Sequence, residues 1–397
     1  MTRTPTDILI SGGGIAGLTA AAAFGAAGFR VICVDPETPV TAQDAPGADQ
    51  RSTAFLQPSV AVLAVAGLWD RLSPHAAPLQ IMRIVEAGAD GEHRIHDFDA
   101  SEISDQPFGW NLPNWLLRRE MVARLADLPN VDFRPGISTR SLTTRETEAL
   151  VTLSDGARIS ARLVIAADGR ASPIRESLGI AVRTTRYGQK ALAFSVTHPE
   201  PHHNISTEIH RSGGPFTLVP LPDRDGSPSS AVVWMEPGPE AQRLANLTVP
   251  EFEAAMTDRS CGLFGPLTLA SPRSVWPIIS QLAGAMSGQR TALMAEAAHV
   301  VPPIGAQGLN LSLADLAKLL ELAQADPAGL GGVKMLDAYN RARHPQALAR
   351  ITAIDALNRA SMAGSPALRD LRAAALQALY ALAPVRRGLM QAGLGLR

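Results

Sequence analysis

The stretch Gly12-Gly13-Gly14-Ile15-Ala16-Gly17 sits between a short apolar run, Ile8-Leu9-Ile10, and a helical segment that reaches Gly28. Val31-Ile32-Cys33-Val34 then reads as a second buried strand, and it ends on Asp35. Strand, glycine turn, helix, strand and acid is the βαβ grammar of a dinucleotide site. Gly12 allows the tight turn, Gly14 lets the backbone approach a pyrophosphate, and Gly17 lets the helix lie close to the sheet. The helix N-terminus offers free N–H groups and a positive dipole end to the phosphates. Asp35 is placed to accept hydrogen bonds from the adenosine ribose. The plainer alternative, a glycine turn that binds nothing, is disfavoured by the flanking strands and the terminal acid. Cys33 reads as core. Gly329-Leu330-Gly331-Gly332 has no preceding strand and reads as a turn between helices, so a single tightly held nucleotide is expected.

Two further motifs lie far along the chain. Leu163–Ala167 reads as a strand ending in Asp168-Gly169, with Ser172 and Arg175 following. Ala292–His299 leads into Pro302-Pro303-Ile304-Gly305-Ala306-Gln307-Gly308-Leu309-Asn310. Helical sequence follows from about Leu311, where Leu313, Leu316, Ala317 and Leu320 share one face. A second helix N-terminus is thereby set beside whatever the loop embraces.

The elements that must position these motifs belong to a globular chain. Of 397 residues, 46% are hydrophobic and 18% charged, which excludes disorder. The net charge of −1 lacks the basic excess of a nucleic-acid binder. Two cysteines suit a reducing compartment and give neither a disulfide framework nor a Cys-rich zinc site. Ile10–Phe29 carries no charge and imitates a membrane span, but its glycines and alanines read as a turn and a soluble helix. A cytoplasmic location is the default. Between Ile180 and about Ala270 the glycine-turn-helix grammar stops, and Ala191–Thr197, Phe216–Leu221 and Ala231–Met235 read as strands.

In this order and spacing, the three motifs resemble the class A FAD-dependent aromatic hydroxylases, the para-hydroxybenzoate hydroxylase-like group. Asp49-Gln50-Arg51-Ser52-Thr53-Ala54, Ser59, Gly67-Leu68-Trp69-Asp70, Gly214-Pro215 to Pro220-Leu221-Pro222 and Val232-Val233-Trp234 resemble its ubiquinone-biosynthesis branch. The resemblance implies an α/β fold: a Rossmann-like FAD-binding domain interrupted by a mostly antiparallel β-sheet substrate domain, with C-terminal helices. The expected division is 1–78, 101–180 and 273–336 for FAD, 79–100 and 181–272 for substrate, and 337–397 helical. Gly12, Gly14, Gly17 and Asp35 would hold the ADP part of FAD. Arg51 and Arg118 resemble family arginines near the cofactor, although Arg119 adjoins Arg118. Asp168-Gly169 matches a motif used toward both FAD and the NAD(P)H pyrophosphate. Pro302, Pro303, Gly305, Gln307 and Gly308 would line the flavin, and Gly308, Leu309 and Asn310 would bind it. The chain departs from the family at Ala295-Glu296, where Gly-Asp is usual. Glu296 would keep the ribityl acceptor with one more methylene, and Ala295 adds a Cβ at a close approach.

The implied activity is hydroxylation of the aromatic ring of a polyprenyl phenol or quinol in ubiquinone biosynthesis, through a flavin C4a-hydroperoxide. It would use O2, with NAD(P)H or another electron donor as co-substrate. Two alternatives stay open: hydroxylation of a small soluble aromatic, and a non-catalytic scaffold within a ubiquinone-biosynthesis complex. His198, His202, His203 and His210 cluster, but Pro199 and Pro201 prevent the helix that would align them on a metal, and a solvated loop is the expectation. His299 reads as a packed histidine beside the loop, and a proton relay is the alternative. Trp234 and Trp276 fit either pocket or core. From Arg341 onward there are nine arginines and two acids, and Ala373–Ala392 has an amphipathic pattern that Pro384 should kink or split. That face is either solvated or attached, with Arg386 and Arg387, to an anionic membrane surface or to other ubiquinone-biosynthesis proteins.

Overall fold

The computed structural model describes residues 3–87, 93–362, 377 and 379–395. Thr4–Ser11 lies at the centre of an eight-stranded sheet, parallel to Arg158–Ala166 on one side and to Val31–Asp35 on the other. Val131–Pro135 extends the second side, and Thr291–Leu293 extends the first. Ile8, Leu9 and Ile10 are fully buried, as a central parallel strand covered on both faces requires. Ala20–Ala23 of the helix Ile15–Ala26 are buried too, and their small side chains let it press onto the sheet. The uncharged stretch is therefore a turn and a core helix. Among the described residues no helix is long and apolar enough to cross a membrane.

A second sheet has nine strands. Its main order runs His299–Val300, Ser274–Ala283, Val182–Thr197, Ser227–Pro237, Gly214–Arg224, Ile205–Ser212, Ile81–Ala87 and His93–Asp99. Thr268–Leu269 adds to Val182–Thr197. Every pairing is antiparallel except that of Ile205–Ser212 with Ile81–Ala87. The sheet continues past residue 272 through Ser274–Ala283. Side chains alternate between its faces. Leu192, Phe194, Phe216, Val232 and Trp234 meet Phe252 and Met256 of the helix Val249–Arg259. Ala191, Met235, Ile278 and Val233 face the other way, where Ile304 of the Pro-rich loop packs on them. A small sheet of Ser52–Leu56, Gly109–Pro113 and Ala77–Leu79 completes the β-structure.

The helix after the Pro-rich loop, Gln307–Ala325, begins four residues before the expected Leu311. Gly308 and Asn310 are poor helix formers and hid its start. Asn310 compensates: its side chain donates to Ala54 O (2.8 Å) and Ala306 O (2.6 Å) and accepts from Leu56 N–H (2.9 Å). The same helix carries Asp315, which is fully buried. It accepts from Arg343 Nε at 2.7 Å and pairs with His299 Nε2 at 2.6 Å. Arg343 belongs to the 29-residue helix Val333–Ser361. His299 is thus packed and paired.

Of the stretch Ala373–Ala392, residues 373–376 and 378 lie outside the described residues. The helix breaks at Leu382 and restarts as Ala383–Leu394 with Pro384 in its first turn. The Tyr380 ring lies 4.9 Å from that of His96 and 5.5 Å from that of Phe98, on the sheet's edge strand. Arg386 pairs with Glu102 at 2.7 Å and lies over Tyr380. It is not a free member of a basic face. Gln307 donates to Gly393 O at 3.3 Å, so the last helix also touches the Pro-rich loop.

Removing Asp315 would leave Arg343 buried without its countercharge. Asp315→Ala should therefore cost about 3–5 kcal/mol of stability, the range for breaking a buried pair. Chemical denaturation checks this, and a loss under about 1 kcal/mol would show that the pair does not hold these helices together.

Candidate active site

Thr4–Ser11, Arg158–Ala166 and Thr291–Leu293 run side by side, and each ends in one of the three motifs. Ligands of α/β sheets bind outside such carboxyl ends. Gly12 has φ +110°, and a Cβ there would stand 2.2 Å from Ala167 O. A Cβ on Gly17 would stand 1.8 Å from Gly12 O. Both glycines are required by backbone crossing backbone. Gly14 differs: its φ of −67° suits any residue, and a Cβ would meet nothing within 4 Å. It caps the helix Ile15–Ala26 without a side-chain hydrogen bond, which leaves the first-turn N–H groups without a side-chain partner. Asp35 is oriented by the same turn, accepting from Gly13 N–H (2.5 Å) and Glu37 N–H (2.8 Å).

Asp168 follows Ala167 directly. Its Oδ2 accepts from Ile174 N–H at 3.3 Å, whereas Oδ1 is buried with no partner in the chain. Burial pushes this carboxyl above its ordinary range, against the hydrogen bonds from Ser172 and Ile174. Arg175, also buried, donates to Ala297 O (2.9 Å) and Arg170 O (3.1 Å), tying the second motif to the third. It is a staple that the motif spacing did not reveal.

At the third motif Ala295 has φ +55°, the left-handed region that favours glycine. That geometry gives the family's Gly its reason, and alanine costs about 1–2 kcal/mol more there. Glu296 is exposed and close enough to Arg51 for its charge to raise the guanidinium's pKa. Arg51 feels burial in the opposite sense, but its pairing with Asp49 at 2.7 Å prevails. Asp49 also receives Asn114 Nδ2 (3.1 Å) and Arg118 Nη2 (3.4 Å). Burial raises the Asp49 carboxyl, but these partners, Arg51 first, hold it below the usual range.

Arg118, and not Arg119, belongs to this cluster; Arg119 turns to Glu120. Arg118 Nε is buried and without a partner. Trp276 lies under Arg51, 4.6 Å from the guanidinium, whereas Trp234 is core and donates to Glu236 at 3.0 Å. Asp49 and Asn114 were not read as site residues, and Trp276 was left between pocket and core. The signal for Asp49 was its place two residues before Arg51.

In the Pro-rich loop, Pro302 is buried, Pro303 and Gly308 are exposed, and Gly305, Gln307 and Leu309 are half-buried. Ala306, with φ +56°, precedes a second helix that has no side-chain cap. Gln307 is engaged with Gly305 O (2.8 Å) and Gly393 O, and the Asn310 side chain is committed to the protein. Backbone N–H groups are what this loop has left to offer. Of the four clustered histidines only His203 is exposed in a turn, as a solvated loop requires; the other three are bonded into the sheet. His198 is buried on Glu200 O (2.7 Å) and Ser230 Oγ (2.9 Å), His202 bonds Leu221 O (3.1 Å), and His210 bonds Glu208 (2.8 Å). No group of metal ligands forms among the described residues.

A large anionic nucleotide fits this arrangement. Two helix N-termini are uncapped by side chains, Gly14 leaves an open cradle, and Asp168 Oδ1 and Arg118 Nε lack partners. Gly14→Val should therefore fold as the parent does and lose FAD, since the branched side chain would fill only that cradle. Titration of the apoprotein, followed by flavin fluorescence, should show binding weaker by roughly two orders of magnitude or more. Gly17→Ala should instead lower the unfolding midpoint. Parent-like FAD binding by the folded Gly14→Val variant would refute the assignment.

A family model described as an FAD binding domain matches residues 5–353. "Ubiquinone hydroxylase UbiL" of Rhodospirillum rubrum is 32% identical over 98% of this chain and 89% of its own. "3-demethoxyubiquinol 3-hydroxylase" of Escherichia coli is 25% identical over 100% of both. Among solved structures, p-nitrophenol 4-monooxygenase PnpA of Pseudomonas putida superposes with a TM-score of 0.81, covers 99% of each chain and is 21% identical, a likeness of fold. With its cradle and three converging motifs matched from end to end, the chain belongs to the FAD-binding-domain family of FAD-dependent monooxygenases.

Proposed function

We propose that this chain hydroxylates the aromatic ring of a polyprenyl phenol or quinol in ubiquinone biosynthesis. The observation that carries the reading is the likeness to the Rhodospirillum rubrum ubiquinone hydroxylase across 98% of the chain. We assign 1–78, 101–180 and 273–336 to holding FAD, except that Ser274–Ala283 joins 79–100 and 181–272 on the substrate side. The Gly12–Gly14 turn and the helix behind it would hold the diphosphate, Asp35 the ribose, and Arg51, Arg118, Asp168-Gly169 and Glu296 the more distal parts. The backbone of Pro302–Asn310 would meet the flavin, with its helix dipole favouring negative charge there. Bound FAD, reduced by NAD(P)H, supplies O2 activation and delivery of one oxygen atom to an electron-rich ring. The chain's own work is to hold that ring in place and keep water out. Ala191, Val233, Met235 and Ile278 form a dry patch opposite Ile304 suited to both tasks.

Purified holoenzyme given NAD(P)H, O2 and either a prenylated phenol or an unprenylated one tests this. Product that has gained one oxygen atom should form from the prenylated ring only. Hydroxylation of the unprenylated phenol alone would replace this reading with the small-aromatic one.

For the C-terminal helix, we propose contact with an anionic lipid surface. Leu382 at its start and Val385 and Leu389 on it are 58%, 39% and 49% exposed, and the helix also carries Arg387, whose side chain is 56% exposed although it reaches Glu102 at 3.7 Å. No acidic residue occurs in Ala383–Leu394. Apolar side chains flanked by arginine suit an interfacial helix. Val385→Glu with Leu389→Glu should abolish flotation with anionic vesicles and leave FAD content unchanged. Flotation that persists would remove the lipid reading, and loss of binding to other ubiquinone-biosynthesis proteins instead would make this face a protein interface.

A further inference from the structure

The face of the nine-stranded sheet that looks toward the Pro-rich loop carries one titratable pair that the cofactor site does not use. His210 Nε2 lies 2.8 Å from Glu208 Oε1, and their side chains are 10% and 13% exposed. Strand register fixes which way they point. Ile209, between them, pairs with Phe216 and Val85 in the core on the helix-covered face. Glu208 and His210 therefore point to the opposite face. Glu208 pairs with Thr217, and Thr217 with Val233, which belongs to the patch on which Ile304 rests. Adjacent strands lie about 4.8 Å apart, so the pair stands roughly 10 Å along the face from that patch. One aromatic ring spans such a gap.

The chemistry of the pair is directional. A carboxylate only accepts, so the hydrogen between the two groups sits on His210 Nε2. With the ring uncharged, Nδ1 is a bare acceptor, and it is buried with no partner in the chain. Burying an unpaired acceptor is unfavourable unless a ligand brings the donor. The neighbouring strands bring Glu86 and Arg94 to the same row: Glu86 is opposite His210, and Arg94 is opposite Glu86. Neither takes Nδ1.

We propose that His210 Nδ1 accepts the hydroxyl hydrogen of the aromatic substrate, with Glu208 fixing the tautomer that makes this possible. The inference rests on the reading above that the substrate is a phenol or quinol. A hydrogen bond drawn from the hydroxyl leaves more electron density on the ring, which is what an electron-poor oxygen atom attacks. Its position at one end of the dry patch also orients the ring, since only one edge of a prenylated phenol carries the hydroxyl.

The test uses holoenzyme, a short-tailed 2-prenylphenol and the methyl ether of that phenol, which has no hydroxyl hydrogen. The parent should bind the phenol about ten- to a hundredfold more tightly than the ether, the range for leaving a buried polar group unpaired. His210→Phe should keep its FAD, bring that ratio to within roughly threefold, and lower hydroxylation per NAD(P)H consumed. His210→Asn, whose carbonyl oxygen can stand near the place of Nδ1, should recover much of the ratio. If His210→Phe does not fold, Glu208→Gln carries the test: it permits the tautomer with a hydrogen on Nδ1 and should lower the ratio also. An unchanged ratio in an FAD-loaded variant, with normal turnover by the parent, would overturn this inference alone. A parent that neither binds nor hydroxylates the phenol would overturn the functional reading and this inference with it.

Discussion

Everything at the cofactor edge depends on one close passage of backbone past backbone. Gly17 lies against Gly12, and Gly12 lies against Ala167, with no room for a methyl group at either crossing. That contact sets the distance of the helix Ile15–Ala26 from the sheet, and it sets the Asp168 turn against the glycine turn. Arg175 then carries the constraint to the third motif by bonding Ala297 O. Three loops that are far apart in sequence become one surface because three parallel strands end together and these contacts lock their ends.

The second constraint joins that surface to the sheet above it. Asp315 receives His299 from the sheet's last strand and Arg343 from the long helix, so the helix that follows the Pro-rich loop cannot shift without breaking a buried ionic contact. Asn310 fixes the start of the same helix to Ala54 and Leu56. The loop between them is short of free side chains, and its remaining currency is backbone N–H groups. Rigid supports around a loop that binds through its backbone are what a preorganised site requires.

Much of this was legible in the residues, for identifiable reasons. The glycine turn, the buried parallel strands and the alternating strands of the second sheet follow from local sterics and period-2 patterning, which sequence carries directly. What escaped notice depended on partners distant in the chain. Arg118 and Arg119 are indistinguishable until Asp49 chooses between them. His198, His202 and His210 looked solvated because the nearby prolines read as loop, but the sheet supplies Ser230, Leu221 and Glu208 as partners. Trp234 and Trp276 separate only once strand register assigns one to the core and the other to Arg51. Arg386 read as part of a basic face, and Glu102, 284 positions earlier, takes it up. The substitution at Ala295 was visible, but its left-handed backbone was not.

The glycine turn also works as a record of descent. Positions 12 and 17 answer to the fold, whereas at position 14 the fold makes no demand and only a ligand could. A lineage that had abandoned its nucleotide would stay bound to glycine at the first two and drift at the third. Glycine at all three is therefore a different kind of statement from glycine at two. In this chain position 14 is still glycine, although nothing in its own fold requires it.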